Sequence, residues 1–206
     1  MAYIEFGNNY PGIMAPAWYK PGSGKAMFDL AQRIMRGPSP LTRGERETIA
    51  AYVSALNDCE FCTDAHAAVC SAHLGRAVSS ADLLSPPFMA GQSPKMQALL
   101  ALAGKVCGGG RRVSPRDIDA ARAAGATDEV IHDAVLIAAA FCMYNRYVDG
   151  LGVVPLARAE DYRTIGERMA KLGYLFPPRP FRWAMRWMLS RMFPRERKAG
   201  TPPSET

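Results

Sequence analysis

The sequence predicts an all-α protein, a bundle of antiparallel helix pairs. Three observations carry this expectation. Alanine is abundant and runs of β-branched residues are scarce, a balance that favours helix over strand. Apolar residues recur at spacings of three and four along much of the chain. Helix-start chemistry recurs as well, and no stretch reads convincingly as a strand. Together these signals give about seven or eight helices.

In chain order, residues 1–25 carry Pro11-Gly12, Pro16, Pro21-Gly22 and Gly24 and read as an irregular N-terminal arm. Its apolar residues Ile13, Met14, Trp18 and Tyr19 imply that it packs on its own domain or on a neighbouring subunit. Residues 26–176 form the helical domain, with the chemically distinctive stretch at 38–75. A first helix spans about Ala26 to Arg36 and stops at Gly37-Pro38-Ser39-Pro40. Thr42-Arg43-Gly44-Glu45 matches a capping box, in which threonine and glutamate satisfy free amides at a helix start. Asn57-Asp58 breaks that helix and is placed to cap the next, which ends at Gly75. Residues 79–93 read as irregular. Ser93-Pro94 and Ser114-Pro115 open two more helices as N-cap and N1. Thr127-Asp128-Glu129 caps a long helix to about Val148, so apolar that it should be the buried centre of the bundle. Leu156 to Lys171 is a more polar helix. Residues 177–206 are a basic amphipathic tail, with 200–206 expected to be disordered.

The net charge of +6 belongs to this tail. Arg179, Arg182, Arg186, Arg191, Arg195, Arg197 and Lys198 stand against Glu196 alone, so the rest of the chain is nearly neutral. No basic face with interleaved aromatics marks the body as a nucleic-acid binder. The 181–198 segment mixes aromatics, methionines and arginines, as a membrane-surface helix does. Packing of this arm on a neighbouring subunit is the preferred reading. The start of the chain lacks a signal peptide's pattern, and the longest apolar run, Ala134 to Tyr144, falls short of the ~20 residues a bilayer requires. A cytoplasmic protein is expected.

Five cysteines, an odd number, argue against a structural disulfide framework. They fit one working pair, with Cys70, Cys107 and Cys142 as buried, inert thiols. The working pair is in Cys59-Glu60-Phe61-Cys62-Thr63-Asp64-Ala65-His66. On a helix, Cys59, Cys62, His66 and Cys70 share one face. The pair occupies the first turn, where the helix dipole favours a thiolate. His66 lies one turn after Cys62, within reach of its sulfur. Glu47, twelve residues before Cys59, is either a charge favoured near its own helix start or a buried carboxylate that holds the histidine proton. These are the parts of an activated sulfur nucleophile with a second sulfur to trap its oxidised form. Zinc is the rival for such residues. Cys59 and His66, however, are about 10 Å apart along one helix axis, and no second ligand pair is evident. No metal and no bound cofactor are expected. The glycine run 108–110 lacks the context of a phosphate-binding loop.

Leu41-Thr42-x-x-Glu45-Arg46-Glu47 followed by Val53-Ser54-x-x-Asn57-x-Cys59-x-Phe61-Cys62-x-x-x-His66 resembles the carboxymuconolactone decarboxylase / alkylhydroperoxidase AhpD-like superfamily, and more closely its peroxidase-related branch. A later stretch, Ala123-x-Gly125-x-x-Asp128-x-x-Ile131-x-Asp133-Ala134 and Asn145-Arg146-x-x-Asp149-Gly150-Leu151-Gly152, extends the likeness. The resemblance implies an all-helical fold assembled as a homo-oligomer (dimer, trimer or hexamer). It implies reduction of hydroperoxides, with Cys62 as peroxidatic cysteine, Cys59 as resolving cysteine, and His66 and Glu47 as proton relay. It further implies an external dithiol reductant, lipoyl or thioredoxin-like. One departure stands out: the best-known alkylhydroperoxidases place a histidine just before the second cysteine, and here it is Phe61. Decarboxylases of the superfamily lack the cysteine pair. The alternatives are a dithiol–disulfide redox or sensor protein without peroxidase turnover, and a non-enzymatic helical assembly module.

Overall fold

The structure, a computed structural model, describes residues 2–193. Arg195, Arg197 and Lys198 of the basic tail, and the 200–206 stretch, lie outside them. The described residues form ten α-helices and no strand. They are α1 (Met14–Tyr19), α2 (Pro21–Arg36), α3 (Arg43–Leu56), α4 (Glu60–Leu74), α5 (Pro86–Ala90), α6 (Pro94–Gly108), α7 (Pro115–Ala123), α8 (Asp128–Gly150), α9 (Ala159–Leu172) and α10 (Arg182–Met192). No helix among the described residues is long and apolar enough to cross a membrane.

The start signals act as their chemistry requires. Glu45 N–H donates to Thr42 Oγ1 at 3.2 Å, and Thr42 N–H donates to Glu45 Oε2 at 2.8 Å, completing the capping box of α3. Ser93 caps α6 and Thr127 caps α8 through their hydroxyls. The main core lies where α3, α6 and α8 meet, with Ile49, Val53, Leu99, Leu100, Ile137 and Phe141 buried together.

Four expectations differ from the structure. The N-terminal arm is partly helical: it contains α1, and α2 begins at Pro21. Pro21 acts as an N1 residue, its ring pre-setting φ, and the Gly24 N–H closes the first turn onto Lys20 O at 2.9 Å. The 79–93 stretch holds the short helix α5. Asn57 and Asp58 do not cap α4. The N-cap is Cys59 itself, with no side-chain cap bond, because the Asn57 amide is engaged elsewhere and Asp58 turns through a left-handed φ of 57°. Finally, α8 is not buried all round. Ala134, Ile137, Ala138 and Phe141 face the core, while Leu136 and Met143, seven residues apart on one face, are 37% and 44% exposed. An alanine-rich sequence hides this sidedness, since alanine fits either face.

The N-terminal and C-terminal segments of the described residues meet. Phe176 packs on Trp18 and Phe28, with ring centroids 5.3 and 5.5 Å away. Leu189 of α10 is buried in the same cluster, and the Tyr10 hydroxyl donates to Arg186 O at 3.2 Å. The C-terminal arm thus packs on its own chain's N-terminal segment. Its Trp183 and Trp187 remain exposed.

Candidate active site

Cys59 and Cys62 sit where α4 begins, under the cluster formed by the N-terminal and C-terminal segments. Both are buried, unbridged thiols. The turn that places them is fixed by backbone bonds: Cys59 N–H reaches back to Ser54 O at 3.1 Å, and Thr63 N–H closes onto Cys59 O at 2.9 Å. Behind this turn Asn145, fully buried on α8, donates to Ser54 Oγ at 3.1 Å and accepts from Asn57 at 2.9 Å. A buried, satisfied polar set of this kind locks the register of α3 against α8.

The two thiols differ. Cys59 is pushed far up, first by the hydrogen bond it donates to Cys62, then by burial, by the charge Cys62 can carry, and by Asp149 at the end of α8. Cys59 therefore keeps its proton.

One turn after Cys62, the His66 ring is buried between Phe141, edge-on at 4.5 Å, and Tyr174, stacked at 5.9 Å. His66 Nδ1 lies 2.8 Å from Glu47 Oε2. A carboxylate only accepts, so Nδ1 carries the proton and Nε2 is left to take up and return another. Glu47 is fully buried. Arg36 donates to its Oε1 at 2.8 Å, and the Tyr174 hydroxyl reaches both oxygens at 2.8 and 2.9 Å. Burial alone would raise this carboxyl. The bond and charge of His66, the charge of Arg36 and the bond from Tyr174 outweigh it and hold Glu47 below the ordinary carboxylate range. Tyr174 in turn is pushed well above its usual value by burial and by the Glu47 charge.

Arg36 also donates to Met35 O and Met169 O, so one guanidinium joins α2, α3 and α9 at the relay. Sequence reasoning missed Arg36, Tyr174 and Phe141. A buried carboxylate calls for a cation, but spacing alone cannot say that it comes from the end of α2 or that a tyrosine returns from 127 residues downstream.

A cavity of about 370 Å³ opens onto Cys62 and His66. Phe61, between the cysteines, is one of its walls. The Phe61 ring lies on Gly12, where an added Cβ would fall 2.0 Å from Phe61 Cζ and where φ is +53°. Only glycine admits this approach. A larger, more open depression of about 670 Å³ lies between α4 and α9, but none of the thiols and not His66 line it. Gly166 lets α9 close on α4 there, since a Cβ would meet Ala68 at 2.7 Å. The other cysteines stand apart. Cys70 is buried and pushed up to about 11 by that burial. Cys107 and Cys142, expected to be buried, are partly exposed and share the Asn57 amide. Among the described residues no group of three or more His, Cys, Asp or Glu side chains could hold a metal ion.

An all-helical bundle with a Cys-x-x-Cys pair heading one helix, backed by a buried histidine and carboxylate, has the AhpD-like architecture. The comparisons with known proteins agree. The model of the carboxymuconolactone decarboxylase family matches residues 21–105, somewhat under half of the chain. A solved structure described as alkylhydroperoxidase AhpD core, an uncharacterized peroxidase-related protein from Ralstonia eutropha JMP134, is 29% identical with a TM-score of 0.68. The match covers 76% of this chain and 81% of that one. An uncharacterized peroxidase-related protein from Silicibacter sp. TM1040 is 25% identical with a TM-score of 0.67, over 74% of this chain and 78% of that one. No curated protein matches. The fold is thus AhpD-like, and residues 21–105 are similar to the carboxymuconolactone decarboxylase family.

Proposed function

We propose that the protein is a thiol-dependent peroxidase that reduces hydroperoxides through Cys62 and Cys59. The family and the peroxidase-related structures it resembles support an alkylhydroperoxidase-like role, and the thiol pair favours this over decarboxylation. One observation carries the finer reading. Cys62 and His66 line the same cavity, while fully buried Glu47 holds the far side of the His66 ring at 2.8 Å.

The Cys62 thiolate attacks the distal oxygen of the hydroperoxide. The O–O bond breaks, the sulfur becomes a sulfenic acid, and the departing alkoxide takes a proton from His66 to leave as an alcohol. Glu47, steadied by Arg36 and Tyr174, stabilises the protonated ring before that transfer. Cys59 then attacks the sulfenic sulfur, and its proton passes by way of Asp149 to the departing hydroxide. A Cys59–Cys62 disulfide forms and water leaves. An external dithiol, lipoyl or thioredoxin-like, restores both thiols by exchange and is itself oxidised. Such a cycle suits the reducing cytoplasm. Assembly into a homo-oligomer is proposed on the same resemblance, and size-exclusion chromatography with light scattering tests it.

The deciding test is hydroperoxide consumption with a dithiol reductant. Turnover should vanish in Cys62→Ser, and unchanged turnover in that variant refutes the assignment. Phe61, in place of a relay histidine, favours one second reading, a dithiol–disulfide protein without peroxidase turnover. That protein would show a reversible Cys59–Cys62 bridge by mass spectrometry and negligible peroxide consumption.

A further inference from the structure

The cavity beside Cys62 is lined mainly by apolar side chains. Phe28, Phe61, Phe141, Met169 and Leu189 are among its walls. Three tyrosines line it too, yet each has its hydroxyl engaged by the protein: Tyr10 donates to Arg186 O, Tyr144 to Met27 O, and Tyr174 to Glu47. Besides Cys62 and His66, two polar groups remain. Trp18 Nε1 is buried with no hydrogen-bond partner among the described residues. An indole N–H left in that state is costly, by about 1–3 kcal/mol, unless something supplies an acceptor. The other group is Arg168 of α9. It is the one charged lining residue apart from the relay, it is exposed, and it forms no ion pair among the described residues.

Hydrogen peroxide would gain nothing from such walls. A cavity of this size and character suits a ligand with a long apolar body and few polar atoms. A single free guanidinium beside it matches a single carboxylate. We propose that the pocket takes an acidic amphiphile, a long-chain carboxylate whose hydroperoxide is the substrate, with Arg168 holding the carboxylate and Trp18 Nε1 donating to an oxygen of the chain. The ligand class stands on the cavity alone; its role as substrate rests on the peroxidase reading.

Isothermal titration of the reduced full chain with dodecanoate and with dodecanol tests the ligand class. Arg168→Met should weaken dodecanoate by about tenfold, the scale of one charge-assisted bond, and leave dodecanol within about twofold. Arg168→Lys should recover part of the loss. Trp18→Phe, checked for folding by circular dichroism, should leave both of these ligands, which lack a chain oxygen, within about twofold and raise KM for linoleic acid hydroperoxide. No binding of dodecanoate, or equal affinity in wild type and Arg168→Met, overturns the proposal. Turnover with dithiothreitol as reductant tests the role. Linoleic acid hydroperoxide should exceed its methyl ester and hydrogen peroxide in kcat/KM. Arg168→Met should remove the advantage over the ester through KM, with kcat unchanged. If dodecanoate binds through Arg168 while no hydroperoxide is consumed, the ligand class holds and the peroxidase reading is what fails. If all three hydroperoxides are consumed equally, the peroxidase reading holds and this inference fails.

Discussion

The relay and the cavity are built in opposite ways. Most of the relay comes from a short piece of chain: Glu47, Cys59, Cys62 and His66 lie on α3, α4 and the turn between them, with Arg36 just upstream. All five fall within the segment that matches the family. Much of the cavity instead comes from outside it, from the N-terminal residues around Tyr10 to Trp18, from α9, and from the segment that ends in α10. Tyr174 is the crossing point, a residue of the C-terminal side that closes the relay. On the proposed function, the difference assigns reactivity and selectivity to separable parts of the chain. Changes in one should spare the other.

The largest expected effect tests the relay. Glu47→Gln leaves Arg36 buried without its counter-charge, a loss on the order of 3–5 kcal/mol. It should also lower turnover by about a hundredfold, for every hydroperoxide alike. Urea unfolding and steady-state kinetics measure the two effects. An effect confined to bulky substrates would break the comparison.

Next in size is a cavity change. Gly12→Ala places a Cβ against the Phe61 ring at a left-handed φ, at a cost of about 1–3 kcal/mol. It should raise KM for a large hydroperoxide and leave turnover of hydrogen peroxide nearly unchanged.

Tyr174→Phe sits on the boundary. Removing the hydroxyl takes one stabilising donor from the Glu47 carboxylate, so its depressed pKa should rise toward the ordinary value. The stability loss should be about 1–3 kcal/mol, and the acid limb of the pH–rate profile should move to higher pH.

The same residue gives a pH prediction with a definite sign. Because the Glu47 carboxyl is lowered in the folded chain from an ordinary value of 4.5, it contributes stability that is fully present above that pH. The contribution is lost as pH falls through the lower folded value. Denaturation midpoints of wild type and Glu47→Gln should therefore begin to converge as pH falls below 4.5 and meet below the lowered folded value. The smallest effect is expected at Trp183, 76% exposed on α10. Trp183→Ala should shift stability by less than about 0.5 kcal/mol and leave both substrate classes alone.

This division also explains what was legible in the sequence. The capping box at Thr42, the proline starts at Ser93 and Ser114, and the spacing from Cys59 to His66 are local signals, and local physics fixes them. Whether Glu47 was a helix-start charge or a buried carboxylate depended on tertiary packing. The structure buries it completely, under a guanidinium and a phenol drawn from elements 11 residues upstream and 127 downstream. The N-terminal arm was misjudged because Pro21-Gly22 reads as a break when viewed alone, yet proline is favoured at N1. Phe61 looked like a missing relay member. Its contact with Gly12 gives it a different occupation, as part of a wall.

The meeting of the N-terminal and C-terminal segments has a practical side. Tyr10 and Arg186 are bonded, and both segments contribute to the space beside Cys62. A substitution around Tyr10 to Trp18 or along α10 is thus a change at the edge of the site rather than a remote one, and substrate preference should be read with both segments intact.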